Sequence, residues 1–178
     1  PCEGNDIYAY RSVLTAQSIP QATLGLVNTV RRNMATLRVT PQGDGSISQV
    51  AYAVNFLNSF GNTSQTLDNL ECWINGVNVT SMVVFSTKQH ARIDSVSAQM
   101  LSPAAGDSLL FMKYIGGSGE YPVSSVVTIE LYATPRNFQW GNAVEFGVVY
   151  DSGVPRSGTY LVASAANQFV VTLSSNRT

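Results

Sequence analysis

The sequence predicts an all-β protein, folded as an antiparallel β-sandwich, and three observations predict it. Short runs of Val, Ile, Phe, Tyr and Thr alternate with polar residues, and Gly, Asn, Asp, Ser and Pro separate these runs. About eight to ten runs follow one another at intervals of roughly 10–15 residues. No helical pattern is long enough to join two parallel strands. A sandwich of the jelly-roll type fits this spacing better than an immunoglobulin-type sandwich, which would carry two cysteines around a core tryptophan.

The strongest strand pattern lies near the end of the first third of the chain. Val50, Tyr52, Val54 and Phe56 fall on one face of an extended segment, and small or polar residues fall on the other. Further strands are predicted at residues 35–40, 70–74, 77–79, 109–113, 127–132, 144–150 and 169–173, with a run at 82–85 that either extends the second hairpin strand or begins another. Residues 93–101 fit either a short helix or a strand with a turn.

Two turns are specified by their residue types. Residues 41–46 combine Pro with two Gly, which suits a turn because Pro cannot continue a ladder and Gly adopts positive φ. Asn75-Gly76 separates two β-prone runs, and Asn-Gly is the strongest local signal for a type I′ hairpin. The sequence therefore predicts a hairpin with its turn at Asn75-Gly76.

The length of 178 residues predicts one undivided sandwich domain, residues 1–178, with a weak candidate boundary only near residues 134–137. Ten basic and eleven acidic residues give a net charge of −1, so we expect no nucleic-acid binding by this segment. No run approaches the ~20 apolar residues of a membrane span. The chain begins at Pro1 without a signal peptide, which indicates a processed product or a fragment.

Cys2 and Cys72 leave two alternatives open. They either pair, or remain free thiols with Cys72 buried beside Trp73. Two cysteines and one histidine supply too few ligands for a zinc site. Asp44, Asp107 and Asp151 could ligate calcium, but Asp beside Gly or in a loop is more often turn chemistry. We therefore expect no cofactor and no metal.

Catalysis is not expected either. His90 has Asp94 nearby and many serines in the chain, so a triad is one interpretation. A solvated loop histidine between Lys88 and Arg92 is the simpler interpretation. No Gly-x-Ser-x-Gly motif occurs, and no pair of carboxylates has the spacing of a glycosidase. The prediction is that the protein is not an enzyme.

Aromatic residues concentrate in the second half of the chain, at Tyr121, Tyr132, Phe138, Trp140 and Tyr150, and four of them are the candidate contact patch: Tyr121, Phe138, Trp140 and Tyr150. Phe138 and Trp140 follow Pro135 in a predicted loop, where core packing explains aromatic residues less readily. A subunit interface or stacking on a sugar would use such side chains. Packing in the core or at a sheet edge is the alternative.

Four segments in order carry a resemblance: GSISQVAYAVNFLN at 45–58, ECWINGVNV at 71–79, GDSLLFMKY at 106–114 and SSVVTIELY at 124–132. This order is similar to the trimeric jelly rolls of the tumour-necrosis-factor and complement-head superfamily, including relatives on phage fibres and bacterial spores. The usual Gly-x-Tyr entry is only approximated, and residues 137–178 lie beyond the family's usual last strand. The composition also resembles that of a viral capsid jelly roll or protruding domain.

The resemblance implies a structural role. It implies a homotrimer or larger assembly that buries aromatic residues along its axis, with loops that face a host receptor or a glycan. The leading hypothesis is therefore a self-associating virion-type protein, a capsid, protruding or fibre-head domain that binds a host receptor. The alternative is a secreted carbohydrate-binding or adhesin domain that acts as a monomer. Either protein would reside on a virion or in the extracellular space.

Overall fold

The structure is a computed structural model that describes residues 12–19, 26–57, 63–87, 100–103, 106–149, 159–163 and 171–174. Within these ranges the chain is almost entirely extended, with one short 3₁₀ helix, Thr80–Met82. The strands are β1 (Ser12–Ile19), β2 (Arg32–Gln42), β3 (Gly45–Ile47), β4 (Gln49–Leu57), β5 (Thr66–Ile74), β6 (Val77–Asn78), β7 (Val83–Thr87), β8 (Leu109–Tyr114), β9 (Tyr121–Val123), β10 (Val127–Arg136), β11 (Ala143–Val149), β12 (Thr159–Ala163) and β13 (Val171–Ser174).

Two large sheets pack face to face, which confirms the predicted β-sandwich. The six-stranded sheet has the order β12-β1-β2-β10-β5-β6, and the five-stranded sheet has the order β13-β11-β4-β8-β7. A small third sheet pairs β3 with β9. Every described pairing is antiparallel except that of β1 with β12, which is parallel. The exception is physically allowed because a long stretch of chain separates these two strands and can return β12 in the direction of β1.

The strand order is that of a jelly roll. The chain crosses between the sheets as it runs through β2, β4, β5 and β7, and later strands then pair beside earlier ones. Thus β10 returns to β2, β8 returns to β4, and Leu101 forms an isolated bridge with Leu67 of β5. A jelly roll has such antiparallel pairs between strands distant in sequence, because a long hairpin folds over on itself.

The predicted alternation in β4 is confirmed at its centre. Val50, Tyr52 and Val54 are buried between the two sheets. Tyr52 packs edge to face against Phe146 of β11, with ring centroids 6.3 Å apart. Phe56, near the end of β4, is only partly buried and packs against Phe138 of the core.

The predicted Asn75-Gly76 hairpin is confirmed. Asn75 has φ of +50° and Gly76 has φ of +76°, as a type I′ turn requires. The flanking register pairs Ile74 with Val77. The turn is also anchored to β10, since Asn75 Oδ1 accepts a hydrogen bond from the Thr128 N–H and the Asn75 N–H donates to the Thr128 carbonyl, both at 2.9 Å.

Strand β10 continues through Pro135, which the sequence had suggested as a break. The Pro135 carbonyl accepts a hydrogen bond from the Thr29 N–H at 2.8 Å. In a strand the N–H and the carbonyl of one residue point to the same side, so an N–H at position 135 would also face Thr29. Proline has no N–H, and its carbonyl is therefore the only backbone group of Pro135 that requires a hydrogen-bond partner. On the other side of β10, Pro135 is opposite Leu67 of β5, and Leu67 forms its backbone hydrogen bonds with Leu101 rather than with Pro135. The strand therefore tolerates the proline without losing a ladder bond.

Four strands were not predicted, β1, β3, β9 and β12, and β3 begins at Gly45, inside the turn predicted at residues 41–46. In β1 the buried positions are Leu14 and Ala16, and a single large apolar side chain gives little alternation. The strand exists because β2 pairs with it along most of its length. Of the last predicted strand, residues 171–173 belong to β13. Phe169, residues 151–158 and most of the 93–101 segment lie outside the described residues.

Candidate functional site

The structure separates the residues of the predicted contact patch. Trp140 is 71% exposed, whereas Phe138 is 6% exposed and belongs to the core. Tyr121 is half-buried and packs edge to face on Tyr114, with ring centroids 5.6 Å apart. Tyr150 lies outside the described residues. Of the two loop aromatics, one therefore anchors the loop and the other is presented to solvent.

Trp140 and Tyr121 also lie at opposite ends of the sandwich. Tyr121 pairs with Ile47, which precedes the start of β4, while the loop with Trp140 follows Phe138, which packs near Phe56 at the end of β4. The nine residues of β4 span about 30 Å. These two side chains therefore cannot contact one small ligand together.

The Trp140 loop is held by side-chain amides. Asn28 binds Phe138 twice, donating from Nδ2 to its carbonyl and accepting at Oδ1 from its N–H, both at 2.9 Å. Asn142 Oδ1 accepts from the Gln139 N–H at 2.8 Å. Gly141 has φ of +84°, a conformation that suits glycine. The loop thus presents Trp140 from a preorganised backbone.

A second aromatic site, which sequence reasoning missed, lies on the outer face of the six-stranded sheet. The guanidinium of Arg31 stacks on Tyr132, with Cζ 3.9 Å from the ring centroid, and lies 5.1 Å from the centroid of Trp73. Arg31 also donates two hydrogen bonds to Glu71, from Nε at 2.9 Å and from Nη2 at 2.8 Å. Trp73 Nε1 donates to Glu71 at 2.8 Å.

These contacts shift the ionisation of the ion pair. The hydrogen bond from Arg31 lowers the pKa of the Glu71 carboxyl, and it outweighs the desolvation that would raise it. The same hydrogen bond raises the pKa of Arg31. The available sequence signals were the aromatic residues Trp73 and Tyr132 at outward positions of their strands, and nothing in the sequence places Arg31 beside them.

Other polar side chains of this outer face also pair with one another. Glu130 accepts a hydrogen bond from Asn33 at 3.0 Å, and Arg136 forms an ion pair with Asp68 at 2.6 Å. We call this surface the charged face, defined by Arg31, Arg38, Asp68, Glu71, Trp73, Glu130, Tyr132 and Arg136. The rings of Tyr132 and Trp73 already contact the Arg31 guanidinium. The charged face therefore does not present freely accessible aromatic rings to a ligand.

The outer face of the five-stranded sheet is different. In its centre the outward positions of β4 and β8 are small or apolar, and β7 adds Ser86 opposite Phe111; we call this surface the apolar face, defined by Ala51, Ala53, Val84, Leu109 and Phe111. The burial pattern assigns them to the outside, because Tyr52, Leu110 and Met112 alternate with them and are buried. Ala53 is exposed, and the others are half-buried. Nothing polar interrupts this centre within the described residues of β4 and β8.

Among the described residues, Cys72 and Tyr52 are buried ionisable groups of the core between the sheets. Cys72 is a buried free thiol, and desolvation raises its pKa to about 12. Cys2 lies outside the described residues. Tyr52 is buried as well, and desolvation strongly raises its pKa. A cavity of about 20 Å³ lies beside Cys72, with mostly apolar walls that include Val50, Met112 and Ile129. Cys72 thus fills core volume as a small apolar group.

Of the candidate catalytic and metal residues, Asp44 and Asp107 lie in the described part of the chain. His90, Asp94 and Asp151 lie outside it. Asp107 is buried, and its Oδ2 accepts a hydrogen bond from the Ser102 N–H at 3.0 Å, which is turn chemistry. Asp44 is exposed in the bend before β3. Within the described ranges, no three His, Cys, Asp or Glu side chains group as metal ligands would.

In the part of the chain that the structure describes, no helix has the length and apolar character needed to cross a membrane.

No protein-family model matches the sequence, and no curated protein matches it. Among solved structures, the chain is similar to the collagen-binding domain from a Staphylococcus aureus adhesin. The identity is 9% over 96% of this chain and 100% of that chain, with a TM-score of 0.27. At this identity and TM-score, nothing about this chain follows from the adhesin's ligand.

Proposed function

We propose that this chain is a structural module that self-associates, as the subunits of virion coats and fibres do. The observation that carries the proposal is the difference between the two outer faces of the sandwich. The charged face pairs Arg31 with Glu71 and Arg136 with Asp68, while the apolar face has a centre of small and apolar side chains that includes Leu109 and Phe111. Apolar patches of this kind on a protein surface mark interaction sites. In this role the module would reside on a virion or outside the cell.

The solution mass tests this proposal. Light scattering of the full chain across a dilution series should give a stable multiple of 19.1 kDa. Phe111→Ser should shift the mass towards the monomer, because it removes the largest apolar side chain of the apolar face. The matched control is Arg38→Ser, an exposed residue on the charged face, which should leave the mass unchanged. A monomer at every concentration would overturn the proposal.

A second candidate function is ligand binding by a secreted carbohydrate-binding or adhesin-like domain. The observation that favours it is the exposed indole of Trp140 on a loop fixed by Asn28 and Asn142. A rigid aromatic residue loses little conformational entropy on binding, and its flat ring suits stacking on a sugar.

A glycan array tests this second function. Binding should be lost in Trp140→Ala and largely retained in Trp140→Tyr, since tyrosine keeps a ring at the same place. Glycan binding that survives Trp140→Ala would remove Trp140 from the site, and the absence of binding by the wild-type chain would argue against a carbohydrate ligand.

A further inference from the structure

We propose that the apolar face binds the same face of a second copy of this chain about a two-fold axis. This inference rests on the proposed self-association and specifies its surface, its symmetry and the pairs of residues that meet. Two charges at the ends of the apolar face and small side chains at its middle are the features that support this contact.

The register of the strands fixes where the charges lie. Lys113 of β8 is opposite Gln49, at the start of β4, and Glu145 of β11 is opposite Asn55, near the end of β4. Lys113 and Glu145 are the two charged residues among the described outward positions of this sheet. Asn55 is six residues further along β4 than Gln49, a distance of about 20 Å.

The apolar face therefore has a cation at one end and an anion at the other. Asn55 Nδ2 lies 3.5 Å from Glu145 Oε2 and helps to hold that carboxylate at the edge of the face. A two-fold axis that lies in the plane of the interface, midway between the two charges and perpendicular to the line that joins them, reverses the ends of the second copy. Lys113 of each copy then faces Glu145 of the other, and both pairs form at once.

The same two-fold axis determines which residues of the two copies are in contact at the centre of the interface. Its midpoint falls over β4, between Ala51 and Ala53, the smallest outward side chains of that strand. The two sheets can approach closely at these alanines. Phe111 lies beside Ala51 on the neighbouring strand, and the rotation brings its ring towards Ala53 of the second copy. A large side chain is thus placed against a small one, as close packing between two sheets requires.

Charge reversal tests this contact. Lys113→Glu and Glu145→Lys should each raise the dissociation constant of the dimer by more than ~10-fold, since each opposes like charges twice in a symmetric dimer. The double variant should regain wild-type affinity. An equimolar mixture of the two single variants should also dimerise, because both cross-pairs are then opposite in charge. Sedimentation velocity at low salt measures each case, with thermal unfolding as the check that every variant is folded.

The matched control is Arg38→Glu, which makes the same change of charge on the charged face and should leave the dissociation constant unchanged. If the wild-type chain self-associates and neither reversal alters its mass, the apolar face is not the contact, and the proposed function stands without it. If the reversals weaken association but neither the double variant nor the mixture restores it, the two-fold pairing is wrong. A wild-type chain that stays monomeric overturns both proposals.

Discussion

Glu71 and Arg31 meet on the charged face under conditions that normally make an ion pair weak. The side chains are 25% and 42% exposed, so water screens their attraction. Two parallel hydrogen bonds and the stacking of the guanidinium on Tyr132 compensate in part, because they fix the geometry of the pair. Arg31 belongs to the segment before β2, so this pair fastens that segment to β5.

Replacing Glu71 by Gln should lower the free energy of unfolding by about 1 kcal/mol at pH 7. The folded pKa of Glu71 is lowered, so its contribution is present above the unfolded pKa and is lost as the pH falls through the folded pKa. The difference between wild type and variant should therefore vanish near pH 2. Urea unfolding at both pH values measures it, with Asp44→Asn as a control in an exposed bend. An equal difference at both pH values would contradict the pairing.

Tyr52 illustrates the opposite situation, a polar atom in the core. Its hydroxyl is buried and has no hydrogen-bond partner in the described structure. Desolvation of such a group costs about 1–3 kcal/mol. Tyr52→Phe should therefore leave the protein equally stable or stabilise it by about 1 kcal/mol at pH 7, because the ring contact with Phe146 is kept. Thermal unfolding measures the effect, and a loss of more than about 1 kcal/mol would mean that the hydroxyl is satisfied.

At the scale of elements, the loop between β10 and β11 depends on a residue far away in the sequence. Asn28 precedes β2, yet it supplies both hydrogen bonds to the backbone of Phe138. Phe138 in turn packs against Phe56 of β4. The loop conformation, and with it the direction of Trp140, is therefore set by three separate parts of the chain.

Asn28→Ala should lower the free energy of unfolding by about 1–2 kcal/mol, since it removes both hydrogen bonds to Phe138. Asn28→Asp should fall between wild type and Ala, because a carboxylate accepts from the Phe138 N–H but cannot donate to its carbonyl. Denaturant unfolding measures the series, and Thr40→Ala at an exposed strand position is the control. Equal stability of Asn28→Ala and Thr40→Ala would show that the amide does not hold the loop.

At the scale of the whole molecule, the sandwich isolates Cys72 from solvent. This thiol lies on β5, between the sheets, and burial raises its pKa to about 12. A thiol in this position exchanges with solvent only when the two sheets separate, so its reactivity reports global opening. The side chain therefore serves as a probe of the entire core.

In a Cys2→Ser background, Cys72 should react with a disulfide reagent at pH 8 at least ~10³-fold more slowly in the native protein than in guanidinium. The rate should rise in proportion to the population of unfolded protein as denaturant is added. Following the released chromophore over a denaturant series provides the measurement. Native labelling at the unfolded rate would mean that the core opens locally at β5.

The sequence by itself determined the local features of this fold. The alternation in β4 and the Asn75-Gly76 turn depend on neighbouring residues alone, since side-chain direction and turn geometry are properties of a few consecutive residues. The sandwich class followed from the number and spacing of such runs. The continuation of β10 through Pro135 did not follow, because it depends on Thr29 meeting the Pro135 carbonyl.

Only the tertiary structure decided the surfaces. Phe138 and Trp140 are two residues apart in one loop, and it is Asn28 and Phe56, distant in sequence, that turn the first inward and leave the second exposed. The stack of Arg31 on Tyr132 likewise needs the register of β5, β10 and the segment before β2. Strand β1 carries too little apolar pattern to be recognised, and it forms because β2 supplies its partner. Long-range strand pairing determines which side chains lie together on one face of a sheet. The alternation of apolar and polar residues along a single strand contains no information about that pairing.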